Sequence, residues 1–90
     1  MKADYCIQGD SEELDKTLGR SSQDNENFLL VYVAPSARIA IYNICGASVV
    51  LRDVQDGLNL RIGGAASAHD NAKSKLEEIF GKKLTEGHLI

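Results

Sequence analysis

The sequence predicts an α+β domain: an antiparallel sheet of about five strands in the order β-α-β-β-β-β-α, with the helices packed on one face. Three observations predict it. Strand-like runs follow one another from Phe28 to Ile62 with connections too short for a crossover, which forces neighbours to run antiparallel. Helical spacing of apolar residues occurs in two places, after Asp10 and after Ser67. Asp56-Gly57 sits between two such runs, and Asp-Gly tolerates the positive φ angles of a tight hairpin.

The first strand is read over Ala3 to Gln8, with Tyr5 and Ile7 on one side and Asp4, Cys6 and Gln8 on the other. Gly9 ends it. Asp10 can accept from the free amides of a following helix while Glu13 reciprocates as in a capping box, and Glu12, Glu13 and Asp15 put negative charge at the positive helix end. Leu14 and Leu18 give that helix a narrow apolar stripe, Gly19 is expected to close it, and Ser21–Asn27 to follow as an exposed loop.

Phe28–Ala34 (FLLVYVA) is almost continuously apolar and reads as a central strand covered on both faces. Pro35-Ser36 makes a turn. Ala37–Ile44 then places Ile39 and Ile41 on one face and Arg38, Ala40 and Tyr42 on the other. Gly46-Ala47 permits a reversal into Ser48–Val54, where Val49 and Leu51 oppose Val50, Arg52 and Val54. After the Asp56-Gly57 turn, Leu58, Leu60 and Ile62 point inward. Gly63–Ala66 is a hinge, and Ser67 with Asp70 forms a second capping pair. Ala68, Ala72, Leu76, Ile79 and Phe80 keep a helical period, Lys73–Glu77 and Glu78–Lys82 are spaced for mutual support, and Gly81 suits a C-cap. The tail 84–90 has two outcomes open to it, folding back through Leu84 and Leu89 or fraying. The chain has no internal repeat or linker, so residues 1–90 are expected to form one domain.

A hydrophobic fraction of 43% against 26% charge argues for a folded chain rather than disorder. The net charge of -3 argues against broad attraction to nucleic acid or anionic membranes. The N-terminus turns acidic before any signal-like apolar stretch, and no segment has the length of a membrane span, so a cytoplasmic location is expected. Cys6 and Cys45 are expected to be two buried free thiols.

The chemistry-bearing residues are scattered. Cys6, Cys45, His69 and His88 are the right number for a tetrahedral metal site but lack paired ligand spacing, so two core thiols and two surface imidazoles, with no metal, is the plainer reading. No GxSxG elbow or local Cys-His context marks a nucleophile, and Cys45 with His69 is the least unsuitable pair. Paired carboxylates would have to come from loop acids such as Asp24, Glu26 and Asp56. Gly63-Gly64 before a helix can hold an anion, but no phosphate-loop fingerprint accompanies it. No cofactor is expected.

Two binding surfaces are legible. Asp4, Asp10, Glu12, Glu13, Asp15, Asp24 and Glu26 outnumber Lys2, Lys16 and Arg20 before Pro35, while the rest of the chain is nearly balanced. This favours a non-enzymatic protein-binding module, of an inhibitor, antitoxin or immunity type, that occludes a basic partner surface with Asp10, Glu12, Glu13, Asp15, Asp24 and Glu26. Tyr42, Val50 and Val54 are candidates for a second contact or a homodimer interface. The alternative is a single-stranded nucleic-acid module whose sheet face presents Arg38, Tyr42, Arg52 and Arg61.

Overall fold

A computed structural model describes residues 1–89, apart from the side chain of Asp24. Its elements are β1 (Lys2–Gln8), α1 (Ser11–Asp24), β2 (Phe28–Ala34), β3 (Ile39–Ile44), β4 (Ala47–Val54), β5 (Gly57–Gly63), α2 (Ala66–Phe80) and β6 (Thr85–Glu86). A single 3₁₀ turn, Pro35–Ala37, joins β2 to β3. The strands form one antiparallel six-stranded sheet in the order β2-β3-β4-β5-β1-β6. The expected α+β architecture with helices against an antiparallel sheet is therefore present, with one more strand than the pattern announced.

The core lies between one sheet face and the two helices. Tyr5 and Ile7 of β1, Leu58, Leu60 and Ile62 of β5, Val49 and Leu51 of β4 and Phe28 of β2 meet Leu18 of α1 and Ala72 and Leu76 of α2. Strand registers confirm that these share a face: Tyr5 lies opposite Leu60, which lies opposite Leu51. Phe28 and Tyr42 stack edge-on with centroids 5.3 Å apart.

The inner β1 position explains the main correction. β1 pairs along its length with β5, and the sheet extends on that side through β1 to β6. β2 is left with β3 as its one neighbour among the described residues. The expectation of a central β2 covered on both faces is thus overturned. Leu29, Leu30, Val31, Tyr32 and Val33 are each between 50% and 63% exposed. An unbroken apolar run reports hydrophobicity but not strand order, and here the two part company.

Smaller departures have local causes. α1 does not stop at Gly19 but continues to Asp24, and the Ser22 hydroxyl donates to the Gly19 carbonyl. Asp10 caps it as expected, accepting from the Glu12 amide, whereas Glu13 turns to Lys16 at 3.8 Å. α2 begins two residues earlier than a Ser67 cap would allow, at Ala66, with Ala65 as an N-cap that makes no side-chain bond. Gly81 does close α2, in the left-handed region at φ 72°. The β3–β4 turn is Cys45-Gly46 rather than Gly46-Ala47. Both have positive φ, 53° and 86°, the pattern that suits a tight hairpin.

The tail folds back. Leu84 is buried and its amide donates to Glu77, taking that carboxylate from Lys73, which sits instead 5.2 Å over the Tyr5 ring. Lys82 donates to the Gln8 carbonyl rather than pairing with Glu78. β6 adds a short strand outside β1, and Leu89 exchanges two hydrogen bonds with the Asn59 side chain, at 2.7 and 3.0 Å. Residue 90, the end of the segment with two open outcomes, lies outside the described residues.

Candidate functional site

The most distinctive surface is built on β2. Its run of Leu, Val and Tyr favours an extended backbone, and pairing with β3 holds it there. The pairing slips between Leu30 and Tyr32, leaving Val31 as the extra residue of a bulge. Leu30 lies opposite Tyr42 on the helix side, and Tyr32 lies opposite Ile41 on the open side. The bulge therefore distributes apolar side chains to both faces of one edge strand. On the open face, Leu29 and Tyr32 adjoin half-buried Ile39, Ile41 and Val50.

On the helix side, β2 forms one wall of a cleft of ≈ 320 Å³, to which Leu30, Val33, Pro35 and Ala40 contribute apolar surface. Arg38, Asp15 and Asp53 contribute its polar groups. Arg38 stands in the left-handed region at φ 57°, anchored by its amide on the Pro35 carbonyl, while its own carbonyl accepts from the Asp53 amide. Asp15 of α1 and Asp53 of β4 face each other. Burial, then a hydrogen bond to Asp53, then the Asp53 charge push the Asp15 carboxyl up to about 7. Burial and the nearby Asp15 charge also raise the Tyr42 hydroxyl. The pair can share one proton near neutral pH, which makes the cleft less negative than its two acids suggest. No local signal in the sequence marks this pair, because Asp53 lies in an alternating strand and Asp15 is one acid among several near the start of α1.

The acids expected to bind a basic partner are only partly gathered. Asp10, Glu12 and Glu13 stand exposed at the start of α1, where Glu12 and Glu13 both reach Lys16. Asp15 turns into the cleft, and Glu26 is exposed in the turn before β2. The side chain of Asp24 lies outside the described residues. The result is an acidic shoulder at each end of an apolar strand rather than one continuous acidic face.

The four residues of the nucleic-acid alternative divide between the two faces. Arg52 and Arg61 share the open face, and Arg61 is held by Asp4 at 2.8 Å. Arg38 lines the cleft on the other side, and Tyr42 is 7% exposed in the core, so it cannot stack a base. Its place in a second contact with Val50 and Val54 is removed for the same reason, because those two face away from it.

One of the two histidines departs from the expected surface position. His69 is not a surface imidazole but is 2% exposed, bonded to the Tyr5 hydroxyl at 3.0 Å and to Asp70 at 3.2 Å. A proton on Nδ1 satisfies both contacts: Nδ1–H donates to Asp70 and Nε2 accepts from Tyr5. His88 is exposed and lies 3.6 Å from Asp4. Cys6 is buried and Cys45 half-buried, and both thiols are free. Among the described residues no three His, Cys, Asp or Glu side chains converge as metal ligands, and no helix is long and apolar enough to cross a membrane. At the Gly63-Gly64 corner, the Gly64 amide donates to the Met1 carbonyl and is not free for an anion. No protein family, no curated protein and no solved structure matches this chain.

Proposed function

We propose that this protein is a small non-enzymatic binding module that engages another protein through β2, with the acids of α1 as a charged rim. The observation that carries the reading is the exposed run Leu29–Val33 on a sheet edge. Five such side chains leave both faces of one edge strand apolar, and exposed apolar surface of this kind on a folded monomer is often functional. An edge strand also offers unpaired backbone donors and acceptors, so a partner gains main-chain hydrogen bonds and side-chain pockets together. Glu26 stands just before this strand and Glu12, with Asp10 and Glu13 at the same helix start, borders Pro35 at its other end, so these acids would steer a basic partner surface onto it. Apolar centre and charged rim together reproduce the usual anatomy of a protein interface.

The test is retention by the immobilised chain from nuclease-treated extract. One protein held in stoichiometric amount by wild type and lost by Val31→Lys, with unchanged circular dichroism, supports the reading. Neutralising Asp10, Glu12, Glu13 and Glu26 to Ser or Gln should slow capture and flatten its salt dependence. Retention that ignores both sets of substitutions would end it.

A further inference from the structure

We infer that the cleft between α1, β2 and β4 receives an arginine side chain of the partner, with its guanidinium between Asp15 and Asp53 and its methylenes along Leu30, Val33 and Pro35. The inference rests on the reading of β2 as a binding surface and names one chemical group of what binds there.

The cleft is continuous with that surface. Leu30 and Val33 belong both to the exposed run of β2 and to the cleft wall, so a chain laid on β2 lies against the cleft mouth. At ≈ 320 Å³ the space is at the small end of ligand-sized clefts, roughly 300–1,000 Å³, and suits one long side chain.

Its acids are unmatched. Asp15 and Asp53 are half-buried, and among the described residues neither makes an ion pair. Tyr42 points the same way. It is 7% exposed and lines the same cleft, and its hydroxyl makes no hydrogen bond among the described residues. No enclosed side-chain oxygen or nitrogen among those residues lacks a partner, so this hydroxyl opens into the cleft. Two carboxylates and a phenol oxygen therefore face one space that an outside donor can fill.

The lining selects the donor. A metal ion is poorly served, because no three His, Cys, Asp or Glu side chains converge among the described residues. A guanidinium offers five donors in one plane, matches carboxylates as a fork and is weakly hydrated enough to enter a partly apolar cleft. Its stem can cover the apolar wall. Arg38, exposed at the rim, is the opposing charge, and Lys16 and Glu12 stand in the adjoining hollow. The incoming cation also displaces the proton that Asp15 and Asp53 share, so its affinity rises as pH rises through about 7.

The experiment is a nitrogen-15 chemical-shift titration of the full chain with Nα-acetyl-arginine methylamide, whose blocked ends leave the guanidinium as its one charge. Saturable shifts centred on Asp15, Asp53, Tyr42 and β2 are expected, with affinity at least about tenfold higher at pH 8 than at pH 5. The citrulline counterpart, of similar shape without the charge, should bind at least about tenfold more weakly. Asp15→Asn and Asp53→Asn should each weaken the arginine compound about tenfold. Asp15→Asn leaves no ionised group to bury, so its loss of binding comes without loss of the fold. Arg38→Gln should tighten binding by removing the opposing charge. Weaker binding in that variant would mean that the cleft takes an anion and would overturn the inference. So would shifts that never saturate, equal binding of the citrulline or lysine counterpart, or affinity that falls from pH 5 to pH 8. A chain blind to the arginine compound that still retains a protein through Val31 ends the arginine alone and leaves the binding-module reading standing. A chain that binds the compound yet retains no protein ends that reading, and the partner with it.

Discussion

Gly57 carries a constraint that no other residue type satisfies. It opens β5 at φ 156°, and a Cβ there would collide with the Ile7 carbonyl oxygen of β1. The obstacle is backbone and cannot swing aside, so Gly57→Ala should destabilise the fold by about 3 kcal/mol or more, read from urea unfolding. Asp15 works in the opposite sense. Its carboxyl ionises normally at 3.8 and in the fold at about 7. Between those values the folded chain binds more protons than the unfolded one, so this group makes stability fall as pH rises from about 4 to about 7. Because Asp15 is half exposed, solvent screens much of the effect, and Asp15→Asn should gain about 1 kcal/mol at pH 8 and flatten the slope below neutrality. Unfolding midpoints at pH 4 and pH 8 would show whether the mutant and wild type converge in acid. Tyr5→Phe strips the buried His69 Nε2 of its donor and should cost about 1–3 kcal/mol, whereas an unchanged midpoint would mean that another group satisfies the ring. None of this burial was legible at His69, because a histidine in a first helical turn looks the same whether that turn faces water or a tyrosine across the sheet.

At the scale of the element, α1 shows how a local rule yields to its surroundings. Glycine ends helices when it adopts a left-handed backbone, as Gly81 does, but Gly19 lies inside α1 with no atom near its missing Cβ. Gly19→Ala should therefore raise stability by about 0.5–1 kcal/mol, since alanine fits the space and has less freedom to lose. A lower melting temperature in that variant would contradict the open space seen there. The strands were the most legible elements, since alternation fixed the inward faces of Leu58, Leu60 and Ile62 and of Tyr5 and Ile7. β2 was the least legible in its position. A strand buried on both faces and an edge strand awaiting a partner need the same apolar sequence, and a single chain shows only its own half of the second case.

Across the whole molecule the tail determines how much of the open face is closed. Cys6 points to that face yet is buried, in a region lined by Thr85 and Leu89. Asn59 holds Leu89 through both ends of its amide. Asn59→Ala should release the tail and make the Cys6 thiol react faster with an aromatic disulfide reagent, with Cys45 first replaced by Ser to isolate the signal. A labelling rate equal to that of the parent would show that the tail stays in place without Asn59. The sequence left this segment between folding back and fraying because the decisive partner, Asn59, lies far from it in the chain. The acid pair and the split of the arginines were hidden for the same reason: both depend on which residues the sheet order brings together. That order has a further effect during synthesis. β1 is made before the other strands, yet Lys2 pairs with Gly63 and Tyr5 with Glu86. The β2–β3–β4 meander can form from neighbouring segments while β1 still waits for both of its flanking strands. The nascent chain thus carries its apolar edge run before its sheet can close, and β1 is bracketed on both sides only when Thr85–Glu86 has emerged.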